Sequence, residues 1–185
     1  MEVEIKDITE SNLIEIPHVC RCCLYWGLSE ESEKTKIEPS KNERELEGKK
    51  KKWILQTLKE FGVCGKILYY QGVSVGYAEY GPSNRFLNIR EYQSQPIGKI
   101  EENVVFLSCL YIANKDLRGK GLGKKLLDSI TDDLKKRGYG VIETFARRDS
   151  ANNPSGPVEF YLKNGFQIKN ENDPEFPILR LNLSK

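Results

Sequence analysis

The sequence predicts an α/β fold: a mixed, mostly antiparallel sheet of six or seven strands with helices on both faces. Three observations carry this. Val104-Val105-Phe106-Leu107-Ser108-Cys109-Leu110-Tyr111-Ile112 is a nearly continuous apolar run, the pattern of a central strand covered on both sides. Leu122, Leu126, Leu127, Ile130 and Leu134 then recur at helical spacing. Upstream, residues 64–70 and 74–80 flank Gln71-Gly72, a hairpin signal.

The remaining elements follow in order. Residues 3–8 alternate apolar and polar side chains and read as a first strand, with Ser11 placed to cap a short helix after it. Residues 29–52 are rich in Glu, Lys and Ser and read as a mobile loop that runs into a helix over residues 46–61. Ile54, Leu58 and Phe61 give that helix its buried face, and the four lysines at 49–52 read as its solvated first part. Gly81-Pro82-Ser83-Asn84 breaks the chain, and residues 84–100, which lack periodicity, read as a loop. The helix that starts near Lys120 ends with Lys135-Lys136-Arg137 at its negative pole and Gly138 as a left-handed stop. Residues 141–145 form another strand, Pro157 opens a last helix that ends before Gly165, and residues 166–168 and 178–183 close the sheet. No repeat or second domain is visible, so residues 1–185 read as one domain.

The chain's 29 basic and 27 acidic residues leave a net charge of +2, too even to point to nucleic acid or a membrane surface as partner. No apolar run approaches the ~20 residues of a membrane span, and the first residues lack the pattern of a signal peptide. Five cysteines, odd in number and crowded at 20, 22 and 23, do not read as a disulfide framework and point to a reducing, cytoplasmic setting.

Chemistry concentrates in Arg118-Gly119-Lys120-Gly121-Leu122-Gly123. A strand, a glycine-rich turn and a helix make an anion site, because the first N–H groups of the helix have no internal partner and point at whatever lies at its positive end. Arg118, Lys120, Lys124 and Lys125 add positive charge. A P-loop would need Ser or Thr after Gly123-Lys124, where Lys125 stands. A dinucleotide fingerprint would need Gly-x-Gly-x-x-Gly early in the chain, whereas the glycines here fall at 119, 121 and 123. Both rival nucleotide sites lose on spacing.

At these residues the chain resembles the GNAT superfamily of N-acetyltransferases, whose main motif is Arg/Gln-x-x-Gly-x-Gly/Ala at the start of a helix after a central strand. Residues 118–123 match every position, and Cys109-Leu110-Tyr111-Ile112 resembles the family's bulged strand. Phe160-Tyr161-Leu162-Lys163-Asn164-Gly165-Phe166 resembles its closing motif. The resemblance implies a GNAT-like sheet and direct transfer of acetyl from acetyl-CoA to a primary amine of an unidentified acceptor. It assigns the donor to the backbone of Leu110, Tyr111 and Ile112, to Arg118, Gly119, Lys120, Gly121, Leu122, Gly123 and Lys124, and to Asn153. It makes Tyr161 the acid that protonates the departing thiolate.

The central strand offers no Glu as general base. Glu79 on the hairpin is the preferred candidate and Glu143 the other, although each also reads as a solvated strand-edge carboxylate. Cys109 as an acetylated nucleophile runs against the family's direct transfer. His18, Cys20, Cys22 and Cys23 hold half of a zinc spacing, Cys20-x-x-Cys23, with no second pair, so no metal is expected and the cysteines read as small hydrophobes. A monomer or homodimer is expected. The competing reading is an acyl-CoA-binding or thiol-sensing module without catalysis on the same fold.

Overall fold

The computed structural model describes residues 2–27, 43–148 and 156–183. Seven strands form one sheet in the order β1-β2-β3-β4-β5-β7-β6. They are β1 (Val3–Asp7), β2 (Gly65–Tyr70), β3 (Val73–Gly81), β4 (Val104–Ile112), β5 (Val141–Phe145), β6 (Gln167–Asn170) and β7 (Ile178–Asn182). Every pairing is antiparallel except β4 with β5, which is parallel. The helices are α1 (His18–Arg21), α2 (Glu43–Phe61), α3 (Leu122–Lys136) and α4 (Val158–Lys163). The expected fold is the one observed.

β4 explains why both faces are covered. Val105, Leu107, Leu110 and Ile112 share one apolar cluster with Leu126, Leu127, Ile130 and Leu134 of α3. Phe106, Cys109 and Tyr111 belong to the other, with Trp53 and Ile54 of α2 and Trp26. Side chains of a strand alternate between faces. Here odd positions face α3 before Ser108 and even positions after it. The cause is a bulge: Glu79 pairs with Cys109 and Tyr80 with Leu107, which leaves Ser108 as the extra residue.

Several expectations need correction. Leu58 and Phe61 are only half-buried, and the buried stripe of α2 is Lys50, Trp53, Ile54 and Thr57. Lys50 is therefore not solvated; it lies on the inward face at helical spacing from Trp53 and Ile54. The first short helix spans Glu10–Glu15 as a 3₁₀ turn, and its cap is Thr9, whose N–H donates to Asn12 Oδ1 at 2.8 Å, not Ser11. Pro157 caps α4 from just outside it. The segment 84–100 holds short 3₁₀ turns and buries Phe86, Ile89, Tyr92 and Ile97 against the Trp26 cluster, so its lack of periodicity reflects irregular backbone and not exposure. The part of the expected loop before Glu43 lies outside the described residues.

Candidate active site

β4 and β5 pair only from Val104 to Phe106, opposite Val141 to Glu143. Beyond that point the two strands part, and among the described residues no strand pairs with the second half of β4 on that side. The fork opens a cleft of about 410 Å³. Its floor is Leu110, Tyr111 and Ile112; one wall is the start of α3 and the other is α4 with Gly156 and Pro157.

The glycine loop stands at the mouth of this cleft. Gly119 and Gly121 have φ of 74° and 79°, backbone that a side chain would strain, and Gly121 is the residue from which α3 begins. The first turn of α3 closes from Lys125 N–H to the Gly121 carbonyl at 3.1 Å, so the N–H groups before Lys125 face outward from the helix start. Arg118 Nε donates to the Ile112 carbonyl at 2.9 Å, and its guanidinium lies 5.2 Å from the Tyr111 ring. The loop is thereby tied to the strand it follows.

Of the expected donor residues, Leu110, Tyr111 and Ile112 line the cleft, as do Arg118, Gly119, Gly121, Gly123 and Lys124. Lys124 also holds Asp128 at 2.6 Å. Two side chains do not line it. Lys120 is exposed, and Leu122 is buried in the core beneath α3, so neither is part of the cleft lining. Asn153 lies outside the described residues. Sequence reasoning missed Leu117, Gly156 and Asn164, which complete the walls. Gly156, with φ of 77°, was the findable one, as a glycine beside a helix-opening proline.

Tyr161 lines the cleft from α4 and is fully buried. Its hydroxyl has no hydrogen-bond partner among the described residues. Burial holds its phenol well above the ordinary value of 10, so it keeps its proton.

The opposite face of β4 carries a second cavity of about 230 Å³, lined by Cys20, Cys23, Lys50, Tyr77, Glu79 and Cys109 among others. Tyr111 borders both cavities, so they adjoin at the strand. Glu79 is buried, not solvated. Its Oε2 lies 2.5 Å from Lys50 Nζ and accepts the Tyr77 hydroxyl at 2.6 Å, while Ser108, the bulged residue, donates to Oε1 at 3.3 Å. Burial opposes the Lys50 ammonium, but the facing Glu79 carboxylate together with Cys23 and Cys109 outweighs it, and the lysine is held above its ordinary value. Burial first, then Cys20, Cys23 and Glu79, push the Cys109 thiol well up, which leaves it a poor nucleophile.

Glu143 is a different case. It is fully buried on β5, accepts the Gly98 N–H at 2.7 Å, and meets Arg180 at 2.6 Å and Lys169 at 2.8 Å. It borders neither cavity and serves as an anchor for the 84–100 segment, which removes it as a base.

No curated protein sequence matches the chain. Its fold is that of solved acetyltransferases. It is similar to an N-acetyltransferase from Staphylococcus aureus Mu50 (TM-score 0.63, 14% identity, 100% of each chain covered). It is also similar to the PaiA N-acetyltransferase from Thermoplasma acidophilum, solved with coenzyme A (TM-score 0.60, 20% identity, 98% of this chain and 99% of that one). A third likeness is the ribosomal-protein-S18-alanine N-acetyltransferase from Escherichia coli (TM-score 0.57, 15% identity, 100% and 96%). The profile described as the Acetyltransferase (GNAT) family matches residues 25–166. With most of its length under that profile, the chain belongs to the GNAT family of acetyltransferases.

Proposed function

We propose that the chain carries an acetyl group from acetyl-CoA to a primary amine by direct transfer, as one catalytic domain over residues 1–185. The fork between β4 and β5 is the observation that supports this most. An unpaired strand edge, a helix start with left-handed glycines and a buried phenol meet in one cleft. Acetyl-CoA would supply the activated thioester. The N–H groups at the start of α3 and the charge of Arg118 would hold its pyrophosphate, and the edge from Leu110 to Ile112 would pair with its amide-bearing arm. Tyr161 would donate its proton to the departing thiolate. Glu79 would take the proton of the incoming ammonium through water at Oε1, the oxygen that carries only the longer Ser108 bond among the described residues. The unpaired state of all five cysteines supports a reducing compartment such as the cytoplasm.

A panel of amines offered with acetyl-CoA, read by release of free thiol, tests this. Turnover on at least one amine, abolished with Tyr161→Phe, is expected. A second reading, donor binding without turnover, draws on the close hold of Lys50 on Glu79, which weakens a carboxylate as a base. Tight acetyl-CoA binding with no acetylation across the panel would decide for it.

A further inference from the structure

We propose that His18, Cys22, Glu43 and Glu47 form a zinc site that pins α1 to α2. His18 opens α1 and Cys22 follows it one turn later, so both project on one side. Glu43 and Glu47 stand one turn apart on α2. The two pairs face each other. His18 Nε2 lies 3.7 Å from Cys22 Sγ, 3.7 Å from Glu47 Oε1 and 3.7 Å from Glu43 Oε2, and Cys22 Sγ lies 4.0 Å from Glu47 Oε1. Tetrahedral zinc with ordinary bond lengths to sulfur, nitrogen and oxygen separates its ligand atoms by ~3.3–3.6 Å. His18, Cys22 and Glu47, whose donor atoms all lie within 4.8 Å of one another, need to close by only a few tenths of an ångström, and Glu43, 3.7 Å from His18 Nε2, reaches the fourth position by rotating its exposed side chain.

The donor set points to the metal. An imidazole and a thiolate exclude calcium and magnesium, which take oxygen, and the mixture with carboxylate suits zinc. Arg21 Nε donates to Glu47 Oε1 at 2.9 Å and so holds that carboxylate in place, as outer partners of metal ligands do. The cluster is half-open, with His18 55% and Glu47 31% exposed, so an ion reaches it without unfolding. On binding, the Cys22 thiol loses its proton to solvent and the metal takes the thiolate.

This is not the Cys20-x-x-Cys23 spacing. Both of those cysteines line the second cavity instead. The ligands come as two half-sites, with Cys22 and Glu47 25 positions apart, so no compact motif announces them. Between them α1 and α2 carry Cys20 and Lys50 of that cavity, so a bound ion would fix its wall. The proposal stands on the four donors alone and does not depend on the catalytic reading.

The full chain, stripped with a chelator, is titrated with Zn²⁺ against a chromophoric chelator and, separately, with Co²⁺. One equivalent is expected, with a thiolate-to-cobalt charge-transfer band that Cys22→Ser abolishes. His18→Ala and Glu47→Gln, on the surface, are expected to weaken zinc at least about tenfold while leaving the circular dichroism spectrum unchanged. They carry the test if Cys22→Ser does not fold. Absence of stoichiometric zinc overturns the proposal. So does binding that survives His18→Ala and is lost with Cys20→Ser or Cys23→Ser.

Discussion

Lys50 and Glu79 form a buried ion pair, Nζ to Oε2 at 2.5 Å, with side chains 6% and 2% exposed. Removing one partner strands the other. Lys50→Met is expected to cost about 3–5 kcal/mol in urea unfolding, and Lys50→Met with Glu79→Gln to recover most of it. The sign with pH follows from the lysine being raised on folding. Its contribution is full below the ordinary 10.5 and is lost only as pH climbs through the higher folded value. The stability gap between wild type and the double variant, which lacks both titrating partners, should therefore stay flat across neutral pH and shrink only in strong alkali.

Tyr161→Phe separates chemistry from folding. The hydroxyl has no hydrogen-bond partner among the described residues, so its loss is expected to leave the melting temperature unchanged or slightly higher. Acid catalysis by a positioned group contributes ~10²–10⁴-fold. A fall in kcat of at least about 10²-fold with little change in donor affinity is expected from steady-state kinetics. Because burial raises the phenol, its deprotonation should produce no loss of rate up to pH 10.

Gly121→Ala and Gly123→Ala should behave differently. At Gly121 an added Cβ meets nothing within 4 Å, but φ is 79°, so the cost is backbone strain of about 1–2 kcal/mol and weaker coenzyme A binding in calorimetry. Gly123 is helical, and its added Cβ would sit 3.5 Å from Phe160, an ordinary contact. Its alanine is expected to keep or raise the melting temperature.

Glu143→Gln removes the charge that Arg180 and Lys169 share. A loss of about 2–3 kcal/mol is expected from thermal unfolding, less than a fully buried pair because Arg180 reaches solvent. Coenzyme A affinity should not change, since Glu143 borders neither cavity.

The thiols give a graded alkylation pattern. Burial, then Cys23, pushes Cys20 up to about 12, and burial pushes Cys64 up to about 12. Iodoacetamide at pH 7.5 followed by peptide mass spectrometry should leave both unlabelled in the folded protein. Rapid labelling of Cys20 would revive the thiol-sensing reading.

The glycine loop and the β4 cleft were legible because their physics is local. Glycine spacing from 119 to 123 and the apolar run of β4 sit within a few residues of what they build. The second cavity and the buried carboxylates were not. Lys50 hides in a run of four lysines, and only its spacing from Trp53 and Ile54 marks it as inward. The Ser108 bulge has no side-chain signature, since register is settled by the neighbouring strand. Glu143 looked like any strand carboxylate until Gly98, brought near from 45 positions away, supplied an N–H.

The parted strands also bear on what can stick to this protein. An unpaired strand edge usually recruits another polypeptide and seeds aggregation. Here the edge from Leu110 to Ile112 lies in a cleft walled by the starts of α3 and α4, so a strand approaching it would have to enter between the two helices. Flanking an edge with helices is one way a fold keeps such a strand from pairing with another chain.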